Sequence, residues 1–157
     1  MTEAFFRAGV GAFVFDREGR ILLLRRKGVL DGRWQMPQGG IRADETPREA
    51  VLRELEEETG LAPANVEIVA ATDEWWAYEL PPEFRNAKVG WGQVQRWFAL
   101  RLLAAPSVVR PDEVEFTDAE WVPAEEILER AAPFRVDLYR KVIATFSVAR
   151  SIPARGR

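Results

Sequence analysis

Two residue types are missing from this chain of 157 residues: it has no cysteine and no histidine. Without cysteine there is no disulfide, no thiolate-held metal and no thiol nucleophile. Without histidine, Ser-His-Asp catalysis, imidazole-held zinc and phosphohistidine intermediates are excluded. Any metal must be held by oxygen, which points to magnesium, manganese or calcium. Long apolar runs are missing too. None approaches the roughly 20 residues needed to cross a bilayer, and the opening MTEAFFRAG lacks the basic-then-apolar order of a secretion signal. The expectation is a cytoplasmic protein with no membrane partner. Positive charge is not in excess either: 22 basic against 25 acidic residues give a net charge of -3, and the pI is about 5.2. That argues against DNA and against a bulk electrostatic grip on nucleic acid, and leaves room only for a local basic patch.

What is present describes an ordinary globular chain, 47% hydrophobic and 30% charged. The length suits one domain, expected over residues 1–150, with 151–157 as a frayed tail. Ala8 to Phe15 and Arg20 to Arg25 read as strands joined through Asp16-Arg17-Glu18-Gly19 into a hairpin. A loop with Gly and Pro follows from Lys27 to Glu45. Val66 to Thr72, Gln93 to Leu102 and Ala119 to Val122 read as further strands, and Trp75 to Gly92 as a long loop. Pro123 to Arg130 and Asp137 to Ala149 read as helices, the second with Leu138, Val142 and Phe146 on one stripe. Strands interleaved with a few helices predict an α/β (α+β) fold: a mixed β-sheet sandwiched between α-helices.

The clearest element is the helix over 47–59. Thr46 is a good N-cap, Pro47 fits the first position, Glu49 completes a capping box and Gly60 ends the helix. At about 100° per residue, Val51, Leu52, Leu55 and Thr59 share one arc, while Glu54, Glu57 and Glu58 share another. Three carboxylates at this spacing repel each other and oppose the helix dipole, each effect costing a few tenths of a kcal/mol to about 1. A hard divalent cation would cancel that repulsion; a solvated acidic face is the plainer alternative.

The surrounding residues decide between the two. Gly39, five residues, Glu45, seven residues, Arg53-Glu54-Leu55, one residue, Glu57-Glu58, one residue, Gly60-Leu61 is a pattern of nine fixed positions spread over 23 residues. It matches the box of the Nudix hydrolases, and the chain is identified as a member of that family. The resemblance implies the Nudix fold and a magnesium- or manganese-dependent hydrolysis of a pyrophosphate bond in a nucleoside diphosphate derivative. It implies Glu54, Glu57 and Glu58 as metal ligands, with the carbonyl of Gly39. Glu45 and Arg53 are then a structural ion pair, and Glu56 faces solvent.

A narrower resemblance rests on Phe6-Arg7, Trp34-Gln35-Met36-Pro37-Gln38-Gly39-Gly40, Tyr78-Glu79-Leu80-Pro81, Gly92-Gln93-Val94-Gln95-Arg96-Trp97-Phe98, Glu115-Phe116, Trp121-Val122 and Phe134-Arg135-Val136-Asp137-Leu138-Tyr139-Arg140. These look like the subgroup of RNA pyrophosphohydrolases and asymmetric diadenosine tetraphosphate hydrolases. It implies Glu115 as a distal carboxylate, metal ligand or base, with Glu113 as runner-up. It implies phosphate contacts from Arg7 and Arg26, a base stacked on Tyr78 and Phe134, and Gln93 and Arg135 lining the same site. Trp34, Trp97 and Trp121 are expected in the core. The loop between Arg26 and Trp34 looks longer than in the RNA-acting members, and the segment from Pro82 to Gly92 shorter than in many relatives.

The substrate expected first is diadenosine tetraphosphate, split to ATP and AMP; the triphosphorylated 5′ end of RNA is second. A non-catalytic ligand-sensing module and cleansing of oxidised nucleoside triphosphates are weaker readings. The box glutamates are all present, and the PQGG loop and GQVQRWF strand fit the last of these poorly.

Overall fold

Apolar side chains alternate along three long strands, and each strand is buried on both faces. In the computed structural model, which describes residues 4–28 and 33–151, the strands are β1 (Phe6–Phe15), β2 (Ile21–Arg26), β3 (Trp34–Gln35), β4 (Gln38–Gly40), β5 (Val66–Ala71), β6 (Trp76–Glu79), β7 (Gly92–Leu102) and β8 (Phe116–Val122). The helices are α1 (Pro47–Thr59), α2 (Ile127–Arg130) and α3 (Val136–Phe146). On one face Val10, Ala12, Val14, Leu22, Leu24, Phe98 and Leu100 pack with Ala50, Val51 and Leu55 of α1. On the other Phe13, Phe15, Ile21, Leu23, Trp97 and Ala99 pack with Ile127, Leu138, Tyr139, Val142 and Phe146. Period-2 alternation sends each strand's side chains to two cores, so the expected sheet between helices is what forms.

β1 runs parallel to β7 from Phe6↔Gly92 to Phe15↔Arg101. β5 and β6 both lie antiparallel to β7, and β2 lies antiparallel to β8 and β3. The sheet is therefore mixed. Among the described residues no helix is long and apolar enough to cross a membrane.

The expected β1–β2 hairpin needs correcting. The turn is there: the Asp16 carboxylate accepts from the amides of Glu18 and Arg20 and from Arg20 Nε at 2.8 Å. Only Phe15↔Ile21 pairs the two strands, however. β1 then turns its free edge to β4 through Gly9↔Gly40, Val10↔Gly39 and Gly11↔Gln38, and Ala12 donates to the Pro37 carbonyl at 2.9 Å. Splaying the two strands admits the Pro-Gln-Gly-Gly segment and lays it against α1.

The segment 75–92, expected as a loop, contains β6. Trp76–Glu79 reads as a strand only through its partner, since four residues beside two prolines carry little signal of their own. The strand expected over 119–122 begins at Phe116. The helix expected over 123–130 is a tight turn over Ala124–Glu126 and a single α-helical turn, and the one expected over 137–149 stops at Phe146. Residues 29–32 of the longer loop expected between Arg26 and Trp34, and 152–157 of the tail expected over 151–157, lie outside the described residues; Ser151 ends a short turn over Ala149–Ser151.

Candidate active site

α1 starts as its sequence dictates. Thr46 Oγ1 accepts from the Glu49 amide at 3.1 Å, and Glu49 Oε1 accepts from the Thr46 amide at 2.9 Å. Gly60 ends the helix in the left-handed region at φ 76. Between these caps the helix fixes the angle at which its acids leave the surface.

The three glutamates are not equivalent. Glu58 is 2% exposed; its Oε2 accepts from the Gln38 amide at 3.3 Å. The Glu54 side chain is 17% exposed and presses on Gly39, where any side chain would collide with the Glu54 carboxyl group. Glu57 is 51% exposed and reaches Arg53 at 3.3 Å and Arg42 at 3.7 Å. Glu56 is exposed, and so was the expectation for it.

Arg53 organises one side of this cluster. Its Nε donates to Glu45 Oε2 at 3.0 Å, its Nη2 to the Gly40 carbonyl at 2.9 Å and its Nη1 to Glu54 Oε1 at 2.9 Å. The Arg53 hydrogen bond holds the Glu45 carboxyl down at about 2. Glu58 goes the other way. Burial pushes its carboxyl well above the usual range, and the charges of Glu54, Glu115 and Asp112 add to that, against one opposing amide from Gln38. Glu54 is also raised, chiefly by burial, although Arg53 opposes the shift.

The distal loop adds a fourth acid. Glu115 is 55% exposed, lies 3.9 Å from Arg26, and contributes charge at both Glu54 and Glu58. Glu113 has no such link; it sits at φ 63 with its carbonyl toward Lys27 Nζ at 3.3 Å. Asp112, which the sequence alone does not single out, anchors the loop. Its Oδ1 accepts from the amides of Val114, Glu115 and Phe116 at 2.9, 2.9 and 3.0 Å. An Asp at the start of a turn was the available signal.

Among the described residues no three acids are gathered as a ready-made metal cage. The donor set nonetheless fits a hard divalent cation. It is all oxygen, Arg53 does not reach Glu58, and the buried Glu58 carboxyl lacks a cation to offset its desolvation.

A second group of side chains continues away from the acids. Gln38 Nε2 donates to the Tyr78 hydroxyl at 3.0 Å. Tyr78 is buried and stacks on Phe134 at 5.9 Å between centroids, so the two rings meet each other rather than leaving a slot for a base between them. The Arg135 guanidinium lies over both rings, 5.4 and 4.7 Å from their centroids. Phe84, not foreseen, stands 6.3 Å from Phe134 and is 55% exposed. Gln93 pairs with Tyr78 and Arg7 across the sheet, and its Oε1 accepts from Gln95. Gln38 Oε1, Trp76 Nε1 and Arg135 Nε are buried without a hydrogen-bond partner. Arg7 lies against Gly40, on the strand edge beside Gly39, and Arg26 faces Phe116 across β2 and β8. Trp97 is wholly buried, and Trp34 and Trp121 partly so.

Comparison with known proteins gives a consistent picture. Residues 5–142 match the NUDIX domain. Over 146 residues the chain is 42% identical to the RNA pyrophosphohydrolase of Cereibacter sphaeroides, covering 90% of each chain. It is also 42% identical to the RNA pyrophosphohydrolase of Gluconacetobacter diazotrophicus, covering 94% of this chain and 96% of that one. In structure it resembles a C. elegans Ap4A hydrolase solved as a binary complex, with a TM-score of 0.68 at 20% identity, covering 90% of this chain and 98% of the other.

Proposed function

Because this chain belongs to the NUDIX family, we propose that it is a divalent-metal-dependent pyrophosphohydrolase whose preferred substrate is the triphosphorylated 5′ end of RNA. The observation that carries the reaction is the pair of acids Glu54 and Glu58, with the charge of Glu115 reaching both from another loop. These residues, with Glu57 from the exposed side and the carbonyl of Gly39, would hold magnesium or manganese. The ion would neutralise the pyrophosphate and make a bound water nucleophilic near neutral pH.

This chain's own groups do the rest. Arg7 beside Gly40 and Arg26 beside Glu115 offer guanidinium forks to the phosphate oxygens. Glu115 is solvent-facing and outside the grip of Arg53, which suits it to accept a proton from water. Phe134, with Tyr78 behind it and Arg135 above it, offers a stacking surface for a nucleobase. The unpaired Gln38 Oε1 and Arg135 Nε, on side chains that touch Tyr78, supply one acceptor and one donor there.

The choice of RNA over dinucleoside tetraphosphate rests on likeness to relatives at 42% identity that carry the name RNA pyrophosphohydrolase. This reverses the order expected from the residues. The net charge of -3 supports diadenosine tetraphosphate as the second reading, since a long RNA chain gains from a basic path. The test offers the purified protein both substrates with magnesium and compares kcat/KM. At least about a tenfold preference for triphosphorylated RNA is expected, with pyrophosphate released. A higher value for diadenosine tetraphosphate overturns the substrate. Turnover that survives EDTA overturns the metal dependence.

A further inference from the structure

Glu115 belongs to a segment with little packing to hold it. Val114 is 76% exposed, the Glu115 side chain is half exposed, and the first buried anchor downstream is Phe116. The chain is nevertheless folded into a defined turn. Its centre is one atom: Asp112 Oδ1 accepts three consecutive amides, those of Val114, Glu115 and Phe116. The Glu113 amide donates to the Phe116 carbonyl at 3.0 Å, and the Lys27 amide donates to the Glu115 carbonyl at 2.7 Å. Glu113 takes a left-handed backbone, φ 63, that a glutamate seldom adopts unless its surroundings impose it. These bonds fix both the amide and the carbonyl of Glu115, so the direction of its side chain is set by Asp112 and the end of β2 rather than by packing.

We propose that Asp112 is a positioning residue for the reaction: it fixes the backbone from which the Glu115 side chain extends, without touching metal or substrate itself. The inference rests on the reading of Glu115 as the distal carboxylate. Its logic is that of an outer partner orienting a group that reacts, whose loss commonly lowers activity about 10- to 100-fold. What matters is the acceptor oxygen rather than the charge, so asparagine can replace aspartate and alanine cannot.

The experiment compares D112A, D112N, E115Q and the double variant D112A/E115Q as full-length proteins with magnesium. D112A is expected to lower kcat about 10- to 100-fold while KM stays within about threefold. It should also raise the magnesium concentration needed for half-maximal rate. D112N should recover at least about a third of the wild-type kcat, because its Oδ1 can accept the same amides. The double variant should be no more than about twofold slower than E115Q alone, since Asp112 acts chiefly through Glu115 and its own charge is the smallest of those raising Glu58. Hydrogen exchange at the Glu115 and Phe116 amides should speed up in D112A and stay slow in D112N, and if D112A fails to fold, D112N decides the matter by the same two readings. Full activity in D112A, losses that add in the double variant, or D112N as impaired as D112A would each overturn the proposal. If E115Q is slow while D112A is normal, only the positioning role falls. If E115Q itself is normal, the distal-carboxylate reading falls and takes the positioning role with it.

Discussion

Two acids at opposite ends of the same box show what their surroundings do to a carboxylate. Glu45 meets the fork of Arg53 and is held down at about 2. Glu58, next to the last residue of α1, meets a single backbone amide at 3.3 Å and is pushed well up by burial. The first acid has its cation built into the chain; the second has been buried without one. Arg53 lies between them in sequence, yet its donors are spent on Glu45, Gly40, Glu54 and Glu57. A protein that gained only stability from these residues would pair Glu58 as it pairs Glu45. Leaving it unpaired makes sense where a mobile cation completes the set.

The comparison can be broken most severely by removing an acid from the proposed metal site. If Glu57 is the metal ligand proposed above, Glu57→Gln is expected to lower kcat about 100-fold or more at saturating magnesium, because such a ligand is worth several kcal/mol of transition-state charge stabilisation and each 1.36 kcal/mol is tenfold. The melting temperature should barely move, since Glu57 is half exposed and α1 keeps its apolar face. Steady-state rates with a melting curve decide the point; a loss below tenfold removes Glu57 from the machinery.

Glu58→Gln sharpens the contrast by splitting stability from binding. The carboxyl of Glu58 is raised, so its contribution to stability is fully present below about 4.5, the ordinary carboxylate value, and is lost as the pH rises through its folded value. At neutral pH and without divalent cation, the amide should therefore melt higher, by about 2–4 °C if the gain is near 1 kcal/mol. Magnesium should raise the wild-type melting temperature and leave that of the variant almost unchanged. Thermal melts with EDTA or magnesium at pH 5 and 7.5 measure this, and a variant that still gains stability from magnesium contradicts it.

The smallest effect is expected at the braced end. Glu45→Gln should lower the melting temperature at pH 7 modestly and leave kcat within a small factor. The sign with pH is opposite to that for Glu58. The lowered value of Glu45 means its stabilisation is present above about 4.5 and disappears as the pH falls through about 2. Wild type and variant should thus converge in acid. An unchanged melt with lost activity would make Glu45 a functional group instead of a brace.

Much of this was legible in the residues. The capping box at Thr46 and Glu49 and the stop at Gly60 lie where local rules put them, because caps depend on neighbours within four positions. The alternation Phe13, Val14, Phe15 anticipates a strand buried on both faces. β6 was missed because its register comes from β7, and the hairpin was overdrawn because the turn at Asp16 says nothing of how far two strands stay paired. In the site, the wheel put Glu54, Glu57 and Glu58 on one arc but could not tell that Glu58 is buried and Glu57 exposed. Phe84 and Asp112 escaped notice because their meaning lies in contacts with Phe134 and with amides of a turn.

The order of residues alone determined the acidic helix, the absence of nitrogen and sulfur metal ligands, and the pattern that ties glycine, arginine and glutamates together. Those are properties of spacing and side-chain chemistry, and they need no partner to be defined. Only the tertiary structure decided which glutamate is desolvated, which is braced, and that the charge of an acid more than fifty residues further along the chain reaches them. Burial and field depend on segments distant in sequence, here β4 wedged beside β1 and the Asp112 turn held by Lys27.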